Sequence, residues 1–303
     1  MNISYEKKTG RLSLTLPEET EAMPLTEFLE QLHISRPKRF ELFQTHALTL
    51  NRTDAAPSDI LHARDRLDFR LEAQEVDYAP AEREARVIYE DDFVYIVHKD
   101  PGIIVHDPDD PTCLASMAAA YQLSHGISSP VRYIHRLDRE TTGLVLFVKI
   151  PLLQGWYDAQ LEEKNIQRDY LAVTAGKGHA GQKLTYNQKI GRDRHVNGRY
   201  RFSSTGKEAL TKVTVLDRKK DFLLMRCHLL TGRTHQIRVH LSGNRHPIIN
   251  DPLYGIPSEK FRNMCLWADT ITFSNPFSEE VTSVHDRFNP DFSLFSSAVH
   301  RLR

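Results

Sequence analysis

Residues 135–148 read His135-Arg136-Leu137-Asp138-Arg139-Glu140-Thr141-Thr142-Gly143-Leu144-Val145-Leu146-Phe147-Val148. A charge-dense stretch runs directly into an apolar one, the pattern of a polar loop entering a buried strand. Upstream, Val87-Ile88-Tyr89 and Val94-Tyr95-Ile96-Val97 flank Glu90-Asp91-Asp92, which predicts strand, turn, strand. Downstream, strands are predicted at 170–174, 210–216, 222–230 and 270–273, and helices at 152–161 and 235–241, the second stopped by Gly243. Strands and helices do not alternate in a βαβ rhythm. The chain is therefore expected to be α+β with a mixed sheet rather than a doubly wound parallel one.

Residues 1–75 read as a small separate module. Leu25, Phe28, Leu29 and Leu32 follow the i, i+3, i+4, i+7 spacing of one buried helix face. Ser35 is placed to cap a second short helix with Pro37 in its first turn and Phe40, Leu42 and Phe43 as its apolar residues. Two strand patterns follow, at 47–50 and 66–71. A charged, Pro80-containing linker at 76–84 then leads into the main domain at 85–303.

The chain has 303 residues, 40% hydrophobic and 26% charged, which suits a folded protein of about two domains and excludes a disordered one. No apolar run approaches the ~20 residues of a membrane span, and the N-terminus does not resemble a secretory signal. Cys113, Cys227 and Cys265 lie far apart without a C-x-x-C pair, so neither a disulfide framework nor a zinc knuckle is expected, and a cytoplasmic location fits. Lys/Arg and Asp/Glu both number 40, but residues 189–245 hold 14 basic against 4 acidic residues, an excess of 10. Such a segment suits a phosphate-bearing partner; a solvated charged face explains it as well.

Two constellations carry chemistry. Asp138 lies between Arg136 and Arg139, where flanking cations suit a carboxylate nucleophile or base, or a purely structural ion-paired loop. Residues 229–241, Leu229-Leu230-Thr231-Gly232-Arg233-Thr234-His235-Gln236-Ile237-Arg238-Val239-His240-Leu241, read as strand end, Thr-Gly turn and helix start. Arg233 and Arg238, with no acid between Arg226 and Arg245, suit a phosphate or carboxylate partner. His228, His235 and His240 match no standard zinc spacing, and structural histidines are the better reading.

These stretches, HRLDRETTG and LLTGRTHQIRVHLSGNRHPIINDPLYG, resemble the RluA-type family of RNA pseudouridine synthases. Residues 86–110 are similar to the family's opening strand pair and N-K-P-x-G turn, with Asp100 intruding between Lys99 and Pro101. Residues 167–173 are similar to its K-x-Y strand, with Arg168 in place of lysine. The resemblance implies a mainly antiparallel central sheet with flanking helices, isomerisation of uridine within RNA, and no metal or organic cofactor. It makes Asp138 the catalytic aspartate, acting on the sugar, on the uracil ring or through a glycal-like intermediate. Tyr170 would stack on the base and accept the proton from carbon 5, and Arg233 would pair with Asp138. Leu230 or Ile237 would wall the base. Arg136 would fill the gap left by the flipped nucleotide, with His135, Arg139 and Arg238 as further substrate contacts. Ribosomal RNA of the large subunit is the first expected target and transfer RNA the second. The chain is expected to work as a monomer.

The N-terminal module resembles the α-L RNA-binding module of ribosomal proteins, although Asn51-Arg52-Thr53 stands where V-N-G is usual. That resemblance places Arg36, Lys38 and Arg39 toward RNA; a docking unit that only stabilises the enzyme is the alternative. Two other classes compete with the isomerase: a non-catalytic RNA-binding or ribosome-assembly protein of the same fold, and a hydrolase pairing Asp107, Asp109 or Asp110 with Asp138.

Overall fold

The computed structural model describes the whole chain except residues 7–9 and 279, and except the side chain of Asn2. The N-terminal part contains β1 (Asn2–Glu6), β2 (Arg11–Thr15), β3 (Met23–Pro24), α1 (Leu25–Gln31), α2 (Arg36–Gln44), β4 (Leu48–Leu50), β5 (Thr53–Asp54), β6 (Ile60–Leu61) and β7 (Arg66–Arg70). Its sheet runs β1-β2-β7-β4-β5, with β3 paired to β6 apart from it. The leucines spaced along α1 are buried, as their periodicity requires. Phe40 does not join the buried face of α2: it is 67% exposed, and Leu42 alone of that helix is buried. Leu12, Leu14 and Leu16 alternate with polar residues and turn β2 toward the core.

The main sheet is built from β8 (Arg86–Glu90), β9 (Val94–Lys99), β10 (Arg132–Tyr133), β11 (Thr142–Val148), β12 (Gln167–Ala175), β13 (Lys183–Tyr186), β16 (Thr211–Lys219), β17 (Phe222–Leu229), β18 (Leu266–Ser274) and β19 (Val281–His285). Its order is β13-β16-β17-β12-β18-β11-β9-β8, with β10 on β11 and β19 on β18. Among the described residues every pairing is antiparallel except β11 with β18, so the mixed α+β reading stands. Helices α3 (Leu114–Ser124), α4 (Gln154–Glu162), α5 (Gln236–Gly243) and α6 (Ser296–His300) flank it, and a short hairpin of β14 (Ile190–Arg192) and β15 (Tyr200–Phe202) stands beside α5.

Gly143 and Gly155 sit at close approaches that require glycine. A Cβ at Gly143, where φ is +119°, would lie 2.3 Å from the Ala268 carbonyl oxygen, at the parallel junction of β11 and β18. A Cβ at Gly155 would lie 2.5 Å from the His33 carbonyl oxygen, where α4 meets the N-terminal part. Leu32 and Leu153, close to these two residues along the chain, belong to an apolar cluster running from Leu29, Leu32 and Leu67 into Leu146, Leu153 and Tyr157 of the main domain. The N-terminal part therefore has its own sheet but shares a core with the rest. Residues 76–84 form no helix or strand, yet Val76, Tyr78 and Ala81 pack on the main core and Ala81 donates to the Ser116 carbonyl at 3.0 Å. Among the described residues no helix is long and apolar enough to cross a membrane.

Candidate active site

The loop before β11 alternates in burial: His135 and Leu137 are buried, Arg136 and Arg139 exposed, and Asp138 half-buried. Leu137 anchors the loop to the core, which leaves its neighbour Asp138 partly exposed. The Thr141 N–H closes the turn onto the Asp138 carbonyl at 3.1 Å. Fully buried Lys99 ties this loop to the turn after β9. Its Nζ donates to the carbonyls of Asp100 (3.0 Å), Ile103 (2.8 Å) and Arg139 (2.8 Å). Burial lowers the Lys99 pKa to about 7 against the opposing pull of Glu140, Asp138 and Asp100. The intruding Asp100 does not disrupt this turn: the Gly102 N–H still donates to the Arg139 carbonyl at 2.9 Å, while Asp100 faces outward to Arg83 at 3.2 Å.

The cation facing Asp138 is Arg238, not Arg233. Arg238 Nη1 donates to Asp138 Oδ2 at 3.0 Å, while its Nε and Nη2 donate to the two oxygens of Asp251 at 2.8 and 2.9 Å. The Arg238 side chain is 3% exposed and that of Asp251 fully buried, so this guanidinium is an interior clamp rather than a phosphate contact. Burial opposes its charge, yet the bonds to Asp251 and Asp138 outweigh burial and raise its pKa. Arg233 is exposed and donates from Nε to the Glu208 carbonyl at 2.8 Å. The reason is local. Arg233 sits in the turn before α5, which the Gln236 side chain pins by accepting from Arg233 N and Thr231 Oγ1 and donating to Leu210 O and Thr211 Oγ1. Arg238 lies within the helix, beside core-facing Ile237 and Leu241.

Only Oδ2 of Asp138 is engaged: no hydrogen bond reaches Oδ1 from the described residues, and the side chain is 24% exposed. His235 Nε2 stands 4.0 Å from Oδ2. Tyr170 is buried on β12, in the same apolar cluster as Leu137 and Ile237. Burial raises its phenol pKa; the Arg168 charge lowers it and Asp138 raises it further. The Tyr254 ring packs under Arg238 and also meets Arg199, with guanidinium carbons 5.1 and 5.4 Å from its centroid.

The other expected contacts separate. His135 lies in the interior instead of at an RNA-facing surface, its Nε2 accepting from the Leu146 N–H at 3.4 Å. Burial, then the Arg168 charge, pushes its pKa down to about 3, so it is neutral at ordinary pH. Arg136 is exposed beside Asp138, and Arg139 donates to the Gly102 carbonyl at 3.0 Å. Ile237 is buried with Tyr170, whereas Leu230 is half-buried at the end of β17. In α2, Arg36 is exposed, Lys38 pairs with Glu41 at 2.6 Å and Arg39 pairs with Glu30. His228, His235 and His240 have separate partners in Asp169, Tyr254 and Thr211. Asp107 and Asp110 accept from the nearby Asp109 and Thr112 N–H groups in their own turn, which supplies no second carboxylate bonded to Asp138. Lys99, Asp251 and Tyr254 join the site through tertiary contacts that local pattern does not mark, although all three lie inside the quoted motifs.

The chain is similar to known proteins. The model of the RNA pseudouridylate synthase family matches residues 93–243. The chain is 33% identical over 265 residues to an uncharacterized RNA pseudouridine synthase of Bacillus subtilis, covering 86% of this chain and 87% of that one. It is 30% identical over 303 residues to the ribosomal large subunit pseudouridine synthase D of Neisseria meningitidis serogroup B, covering 92% of this chain and 79% of the relative. Among solved structures, human RNA pseudouridylate synthase domain containing 1 shares the fold, with a TM-score of 0.56 at 24% identity over 68% of this chain and 84% of that one. The chain belongs to the RluA-type family of RNA pseudouridine synthases, isomerases whose substrate is RNA.

Proposed function

We propose that this chain isomerises uridine in structured large-subunit ribosomal RNA with Asp138 as its catalytic carboxylate. One observation carries the catalytic part: Asp138 has one oxygen held by a buried, doubly clamped Arg238, while its other oxygen takes no hydrogen bond from the described residues and its charge reaches Tyr170. A carboxylate aimed by one oxygen and free at the other suits attack on, or assistance at, a nucleoside brought against it. The base has to leave its stack to arrive there, at a cost of a few kcal/mol offset by contacts such as stacking on an aromatic ring. Tyr170, whose phenol feels the Asp138 charge, is the aromatic group for that purpose, and exposed Arg136 is the planar cation available to occupy the vacated stack.

The ribosomal target rests on relatives named as ribosomal large subunit synthases; transfer RNA is the second reading. The N-terminal part, read as an α-L-like module, would add RNA contacts through Arg36, Lys38 and Arg39. RNA labelled with tritium at uracil carbon 5 should release label to water with the wild-type chain. The variant Asp138→Asn should release none. Mapping pseudouridine in cells with and without the gene should remove one or more large-subunit positions; loss confined to transfer RNA would shift the assignment to the second reading.

A further inference from the structure

Asp138 has a second polar neighbour that the ion pair does not account for. His235 opens α5 with φ of +57°, a left-handed conformation that a histidine adopts only at a cost. Its Nδ1 lies 2.9 Å from the Tyr254 hydroxyl, and its Nε2 faces Asp138 Oδ2 at 4.0 Å. The Tyr254 hydroxyl accepts from the Tyr200 N–H at 2.7 Å. Tyr200 opens β15 of the basic hairpin, and its ring packs edge-on against His235 at 5.6 Å. The phenol has one hydrogen to give, and among the described residues His235 Nδ1 is the acceptor within reach. Donation to Nδ1 leaves the imidazole hydrogen on Nε2, toward the carboxylate.

We propose that His235 is a positioning residue for Asp138, held by Tyr254 in the tautomer that offers Nε2–H to Oδ2. The helix start pays for its strained backbone with this placement. The 4.0 Å separation is one that a catalytic hydrogen bond closes as substrate tightens the site. The groups facing the imidazole are Asp138 from the loop before β11, Arg238 from α5, Asp251 and Tyr254 from the segment after it, and Tyr200 from β15. Burial is the largest influence on His235 and lowers its pKa, which keeps it a neutral donor at ordinary pH. The chain of contacts also links the basic hairpin, through the Tyr200 N–H, to the orientation of the carboxylate.

This proposal rests on Asp138 being the catalytic carboxylate, and its test separates the two. His235→Asn tolerates the left-handed backbone and reaches Tyr254, but its amide stops short of Asp138. His235→Gln places an amide N–H near the position of Nε2. Turnover on tritiated RNA and the carboxyl titration of Asp138, followed by carbon-13 NMR and assigned with Asp138→Asn, are measured in the full chain. H235Q is expected to keep kcat within about threefold. H235N is expected to lose about tenfold in kcat with KM within about twofold, and to raise the Asp138 midpoint by about half a pH unit or more. Tyr254→Phe, which frees the tautomer, should fall between them. The reverse order, with H235N the more active variant and the midpoint unmoved, would show that His235 only shapes the helix start and would overturn the proposal. Turnover surviving in Asp138→Asn, with the midpoint still rising in H235N, overturns the catalytic assignment and leaves the pairing intact.

Discussion

Asp68 and Asp138 are both bound by arginine, and they are bound differently. Asp68, on β7, is 5% exposed and saturated: Arg11 donates to both its oxygens at 3.1 and 2.8 Å, Arg66 Nε reaches it at 3.2 Å, and Ser13 Oγ completes the set. Burial raises its pKa, but the donors from Arg11, Ser13 and Arg66 more than offset that and hold the carboxyl below its usual range. Among the described residues Asp138 is held through one oxygen only, and its guanidinium is immobilised from behind by Asp251. A saturated carboxylate fastens strands; a half-satisfied one, aimed by a rigid partner, keeps an oxygen for a substrate. Arginine next to aspartate is therefore not itself the signature of a site. The free oxygen is.

The contrast can be broken by substitution. Asp138→Asn should abolish turnover, a loss of at least about 10⁴-fold, with RNA affinity kept within about tenfold because phosphate contacts dominate binding; filter binding beside tritium release measures both. Arg238→Gln should cost about 10²–10³-fold in kcat and destabilise the fold by about 3–5 kcal/mol, since buried Asp251 loses its ion partner; urea titration reads the second effect. Asp68→Asn should leave kcat within about twofold but cost about 1–3 kcal/mol, because Arg11, Arg66 and Ser13 lose a charged acceptor. Equal losses of turnover at Asp68 and Asp138 would erase the distinction between the clusters.

Two smaller effects sharpen it. His135 is neutral in the fold, with a pKa lowered to about 3, while the unfolded chain binds a proton below about 6.5. Between those values the unfolded state holds more protons, so this group withdraws about 1 kcal/mol of stability for each pH unit of acidification. In His135→Met that slope should flatten in urea midpoints taken from pH 7 to 4. The smallest effect belongs to Arg233→Gln. An exposed arginine donating to one carbonyl should change kcat less than about twofold and act, if at all, on KM. A loss matching that of Arg238→Gln would restore Arg233 as the partner of Asp138.

Legibility followed physical cause. The helix α1 was readable because one face is buried and the other wet, so its spacing shows in the sequence. Helix α3 was not: Leu114, Ala115, Ser116, Met117, Ala118 and Ala119 are all buried, and a helix covered on every side carries no periodic stripe. The strand β2 is not legible, because Leu12 and Leu14 alternate with polar neighbours over a segment of only five residues. Lys99 shows in sequence as a charge at a strand end, and only the converging carbonyls of three loop residues reveal it as the tie between two turns.

Sequence by itself determined the family, the α+β sheet, and a carboxylate at the mouth of a buried strand, because these depend on local pattern and on motifs in a fixed order. Tertiary structure alone decided which guanidinium meets Asp138. Arg233 and Arg238 are five residues apart on one stretch of chain, and the partner lies 100 positions before Arg238. Local pattern gives both arginines the same chemistry. The path of the chain, which leaves one in an exposed turn and buries the other in a helix between two aspartates, gives them different work.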